Sequence, residues 1–174
     1  MNAGVPIDYN DPLNLERVAL DMIDLAGGSA DVEVALSAGE GLAITVRDGA
    51  VETLESERDK SLAVTVYQSG RKGSATTSDF SATALSETLK AALEIAAHGE
   101  ADEFAGLAAP QYLAESVPDL DLDHPWDLGA PEAIALALKC EQAATGSDAR
   151  IKQSDGASVN RYRGTRAYAN SHGF

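Results

Sequence analysis

ADVEVALSAGEGLAITVRDGAVETLESERDKSLAVTVYQSGRKGSATTS, residues 30–78, decides the fold. Val32, Val34 and Leu36 alternate with polar or small residues, as do Leu42, Ile44 and Val46, and then Leu62, Val64 and Val66. Period-two alternation gives a strand one apolar face and one wetter face. Asp48-Gly49 is a two-residue hairpin signal, because a type I′ turn needs positive φ and glycine accepts it. Ser69-Gly70 and Gly39-Glu40-Gly41 punctuate the stretch in the same way. The spacing predicts an antiparallel β-meander of about five short strands in an α+β fold, with one face requiring a helical cover.

Helices flank the meander. Asp11-Pro12 is a helix start, Leu15, Val18, Met22 and Leu25 fall at helical spacing, and Gly27-Gly28 ends the run. Residues Met1 to Asn10 read as a frayed lead-in. Ser81 caps a second helix with the stripe Leu85, Leu89, Leu93 and Ala96, closed by His98 and Gly99. A third helix runs from about Pro131 to Thr145. Around Asp155-Gly156, Arg150–Ser154 and Asn160–Asn170 read as a hairpin. Tyr162, Arg166 and Tyr168 are expected on one face of its second arm, with Arg161, Arg163, Thr165 and Ala167 on the other. The expected division is an α+β domain over residues 1–99, a proline-broken linker over 100–129, and the start of a second α/β unit over 130–174.

Composition narrows the function classes. Thirteen basic and 28 acidic residues give a net charge of −15, which repels phosphate and argues against direct nucleic-acid binding. Residues 147–174 reverse the sign locally, with five basic side chains (Arg150, Lys152, Arg161, Arg163, Arg166) against Asp148 and Asp155. One cysteine, Cys140, excludes an internal disulfide and reads as a small buried helix residue. No signal-peptide pattern and no membrane-length apolar run is present, so a cytoplasmic protein away from membranes is expected.

No motif carries catalytic chemistry. Glu52, Glu55 and Glu57 read as a solvated strand face, with acid–base work or cation binding as the sharper alternative. Arg71-Lys72-Gly73 lacks any phosphate-loop spacing. In Asp119-Leu-Asp-Leu-Asp-His-Pro-Trp126, alternation suggests an extended strip docked by its leucines, acids outward and Trp126 as anchor. His98, His124 and His172 lie far apart, without the helical pairing of a zinc site. No catalytic, cofactor-binding or metal residue is therefore assigned. Exposed strand edges can hold extended peptides by main-chain hydrogen bonds, and the candidate edges carry Arg71, Lys72, Gly73 and Ser74 on one arm and Arg161 and Arg163 on another.

An ordered series of short motifs resembles the TldD/PmbA family: Asp31-Val-Glu-Val-Ala, Arg47-Asp-Gly-Ala-Val-Glu, Leu62 to Ser78, Gly106-Leu-Ala, Asp119-Leu-Asp-Leu-Asp-His-Pro, Pro131-Glu-Ala-Ile and Arg166-Ala-Tyr-Ala-Asn-Ser-His-Gly-Phe174. The PmbA (TldE) branch is the nearer match. The resemblance implies a longer parent chain, which also fits a final strand ending on an apolar residue. It implies a zinc metalloprotease assembled from TldD-type and PmbA-type subunits. Such complexes act on unfolded peptides, in peptide maturation and antitoxin degradation. The family has also been labelled a modulator of DNA gyrase. Zinc would sit on a His-Glu-x-x-x-His helix of the TldD-type partner, a motif this sequence lacks. Two alternatives stay open: the N-terminal half of a TldD-type catalytic subunit, or a stand-alone α+β binding domain.

Overall fold

The computed structural model describes residues 11–174; the expected lead-in at Met1–Asn10 lies outside them. The elements run α1 (Pro12–Ala26), β1 (Asp31–Arg47), β2 (Ala50–Gln68), β3 (Arg71–Thr77), α2 (Ala82–His98), a single 3₁₀ turn at Pro110–Tyr112, α3 (Ala130–Thr145) and β4 (Ala157–Asn170). Among the described residues four strands form one sheet in the order β3-β2-β1-β4. β2 and β3 pair antiparallel, from Leu62 opposite Thr77 to Gln68 opposite Arg71. β4 also runs against β1: Ser158 meets Thr45 at 2.9 Å, and Tyr168 reaches Glu33 at 3.0 Å.

The α+β reading holds, and the strand count becomes four rather than about five. Gly39-Glu40-Gly41 is not a turn but lies within the 17-residue β1. Glu40 is held there by Arg161 at 3.1 Å and by Arg58 at 3.7 Å. Gly41 serves close approach, since a Cβ on it would stand 2.8 Å from Oε1 of Glu57. Likewise Ala50–Arg58 and Ser61–Gln68 are one strand. The true turns are Asp48-Gly49 (φ 51° and 77°) and Ser69-Gly70 (φ 54° and 70°), both with paired positive φ as type I′ requires.

The expected arm Arg150–Ser154 is not a strand. The Asp148 carboxylate accepts the Arg150 backbone N–H at 2.8 Å and grips its guanidinium at 2.6 Å, a local turn that diverts the backbone from pairing. β4 instead pairs with β1, in the same sheet as the first three strands.

The chain resolves into two compact units. The first comprises residues 11–38, Asp59–Asp119 and Gly164–Phe174. Its core joins Leu15, Val18 and Met22 of α1, Leu89, Ala92 and Ala96 of α2, Val32, Val34 and Leu36 of β1, and Leu62, Val64 and Val66 of β2. Each fully buried Leu, Val or Met contributes about 1.5–3 kcal/mol. Asp11 caps α1 by accepting the Leu13 N–H at 3.0 Å, and Ser81 caps α2 by accepting that of Ala84 at 3.3 Å.

The second unit comprises Gly39–Arg58 and Leu120–Arg163. Its core sets Ala133 and Ala137 of α3 and Leu128 against Leu42, Ile44 and Val46. Two details of this unit differ from expectation. Cys140 is exposed, and the buried neighbour is Glu141. Nor is the aspartate–leucine strip docked by its apolar side. Leu120, Leu122 and Trp126 are exposed, because Asp121 takes a left-handed backbone (φ 47°) that breaks the alternation. The acids pair instead: Asp121 with His124 and Asp123 with Arg163, both loosely.

Candidate functional site

The predicted edge residues lie on β3 and β4, the two outer strands of the sheet order. The structure does not bring them together. Along β3 the strand period divides them. Gly73 is buried against α2, where a Cβ would collide with the Ala92 carbonyl oxygen, and Arg71 shares that face, its Nε buried and without a hydrogen-bond partner among the described residues. Lys72 and Ser74 point to the other face. There Lys72 stands over the Tyr67 ring at 5.8 Å, and Ser74 meets Thr65 at 3.0 Å. On β4, Arg161 is engaged by Glu40 and Arg163 by Asp123.

That second face of the first unit carries a polar constellation the edge argument missed. Core residues Val32, Val34, Leu62, Val64 and Val66 point toward the helices, so Glu33 and Tyr67 point away. Tyr67 donates to Oε1 of Glu33 at 2.9 Å and Tyr168 donates to Oε2 at 3.0 Å, so three strands meet on one carboxylate. Asn170 donates to the Tyr168 hydroxyl at 3.4 Å, and the Tyr168 and Phe174 rings lie 5.8 Å apart. Partial burial first, then the bond to Glu33, pushes the Tyr67 phenol up to about 12. Burial likewise raises Tyr168. Both tyrosines therefore stay protonated donors at neutral pH.

Residues 99–114 fold over this face. Asp102 N–H donates to the Gly70 carbonyl at 2.7 Å, and the His172 ring is 2.9 Å from the Ala108 carbonyl. Two grooves result. One, of about 450 Å³, is lined by Tyr67, Lys72, Asp102 and Phe104. The other, of about 360 Å³, is lined by Glu33, Tyr112, Tyr168, Asn170 and Phe174. The sequence signal was present in part: the alternation puts Glu33 and Tyr67 off the core face, but only the β1–β4 pairing, 135 residues apart for Glu33 and Tyr168, adds the third member.

In the second unit, Glu141 is 5% exposed, and its carboxylate accepts the backbone N–H groups of Asp48 and Gly49, each at 2.9 Å. The bond from Gly49 holds its carboxyl below the usual range. This geometry clamps the β1–β2 turn onto α3.

No group of three His, Cys, Asp or Glu side chains suited to a metal occurs among the described residues. His98 is engaged by the Glu94 carbonyl, His124 by Asp121 and His172 by Asp31. These residues do not fit a zinc centre. No helix among the described residues is long and apolar enough to cross a membrane.

Two family models match in order. The first, PmbA/TldA metallopeptidase domain 1, matches residues 32–96, and the second, the PmbA/TldA metallopeptidase central domain, matches residues 123–174. Metalloprotease PmbA of Escherichia coli O157:H7 is 42% identical over 160 residues, covering 91% of this chain and 36% of the relative. A Metalloprotease PmbA homolog of Haemophilus influenzae is 41% identical over 155 residues, covering 89% and 34%. The chain thus spans little more than a third of these relatives' length. Among solved structures, a Bacteroides thetaiotaomicron protein named as a candidate modulator of DNA gyrase superposes with a TM-score of 0.71 at 24% identity, covering 91% of this chain and 37% of that one. TldE from Thermococcus kodakarensis gives 0.63 at 18% identity, covering 92% and 35%. These two likenesses speak for the fold; the matched models and the identities speak for descent. The chain belongs to the PmbA/TldD metallopeptidase family.

Proposed function

We propose that this chain is the N-terminal, non-catalytic portion of a PmbA-type subunit. It pairs with a TldD-type subunit that carries the zinc, and the complex cleaves unfolded peptides in the cytoplasm. The observation that carries the reading is the ordered match to domain 1 and the central domain, together with 42% identity to a Metalloprotease PmbA. Two features support a wall-and-docking role. Each histidine is already engaged by a neighbour, and the outer strands β3 and β4 offer main-chain groups to an extended peptide. Arg71, Lys72, Gly73 and Ser74, with Arg161 and Arg163, mark those strands, and Lys72, Ser74 and Arg163 are the exposed members. Strong negative charge keeps nucleic acid out of the reading, and a single cysteine fits a reducing compartment.

Co-expression of the full-length protein with a TldD-type subunit tests this. A stable complex that cleaves a denatured polypeptide, with neither subunit active alone, is the expected result. Cleavage by the full-length protein alone would assign it to the catalytic branch and overturn the proposal.

A further inference from the structure

The groove beside Glu33 has a chemistry of its own. Among the described residues its single charged lining group is the Glu33 carboxylate, with no basic side chain, and three aromatic residues (Tyr112, Tyr168 and Phe174) share the wall. A carboxylate set among aromatic rings attracts a cation twice, by charge and by ring quadrupole. Each Glu33 oxygen accepts one tyrosine hydroxyl and keeps a further acceptor direction. The two tyrosines fix the carboxylate from opposite strands, so little side-chain entropy remains to be lost on binding. Leu107 and Leu113 also line the groove, where an alkyl stem can lie while its charged head reaches the carboxylate. A volume of about 360 Å³ is at the small end for ligand sites, enough for one side chain. The net charge of −15 steers cations toward the molecule as a whole.

We infer that this groove binds an alkylammonium or guanidinium group, of the kind a lysine or arginine side chain presents. The inference stands on the groove alone and does not depend on the protease reading. One cation chemistry has two sources, a polypeptide side chain or a free amine, and the test separates them.

Ligand-observed saturation-transfer NMR on the full-length protein would compare choline with its uncharged isostere 3,3-dimethylbutan-1-ol. A second pair is acetyl-Gly-Lys-Gly-amide and its norleucine counterpart, with butylammonium as the free amine. Choline, butylammonium and the lysine peptide are expected to bind, and the two uncharged partners are not. Glu33→Gln should weaken the cations by about tenfold, as loss of a charge-assisted contact implies. Tyr112→Ala removes one exposed ring and should weaken them about two- to fivefold. Because Tyr112 is 79% exposed, that variant keeps the test alive if Glu33→Gln does not fold. Tighter binding of the peptide than of butylammonium assigns the site to polypeptide side chains, and equal binding assigns it to free amines. Equal binding of choline and its isostere would overturn the inference. So would cation binding indifferent to both substitutions.

Discussion

The carbonyl oxygen of Ala92 stands in the space that a side chain at Gly73 would fill. α2 therefore lies directly on β3, backbone against backbone, and neither can yield as a flexible side chain would. Gly73→Ala should destabilise the first unit by about 1–3 kcal/mol, the usual cost of overpacking. Chemical denaturation checks this, with Ser74→Ala on the opposite face expected within about 0.5 kcal/mol of the parent.

Glu141 clamps the Asp48-Gly49 turn through two backbone N–H groups. Its carboxyl lies below the ordinary value of 4.5, chiefly through the Gly49 bond. A depressed carboxyl adds stability above its unfolded-state pKa and loses it as pH falls through the folded value. Glu141→Gln should therefore lower the thermal midpoint at neutral pH. The gap from the parent should close as pH drops below about 4.5, the ordinary value above. Scanning calorimetry across that range decides it.

Tyr67 titrates near 12 because of its partial burial and its bond to Glu33. A raised phenol stabilises the fold fully below its unfolded value of 10 and loses that contribution as pH climbs toward 12. Alkaline titration of phenolate absorbance should show a late-ionising tyrosine that Tyr67→Phe deletes. In Glu33→Gln the Tyr67 step should move to lower pH.

Leu62 and Leu122 make opposite predictions. Leu62 is wholly buried beneath the helices and Leu122 is 81% exposed. Leu62→Ala should cost about 2–5 kcal/mol, whereas Leu122→Ser should leave stability within about 0.5 kcal/mol. Urea unfolding midpoints with unchanged slopes would establish both.

The helices and the strand faces were legible because they rest on local chemistry. Asp11 and Ser81 announce their helices, and the alternation from Val32 to Val66 assigns core and outer faces correctly. Length of strand was not legible. Gly39 and Gly41 resemble turn punctuation, yet Gly41 is there for the side chain of Glu57. The Glu33–Tyr67–Tyr168 constellation was hidden for a different reason. Its third member arrives through a strand pairing that no local pattern encodes. The leucine strip at residues 119–123 misled because alternation presumes an extended backbone, and Asp121 departs from one.

Metal analysis of the purified full-length protein, alone and after assembly with a TldD-type subunit, tests the central claim most directly. The account predicts background zinc in the protein alone and stoichiometric zinc only in the assembly. Stoichiometric zinc in the protein alone, lost on substitution of His98, His124 or His172, would contradict it.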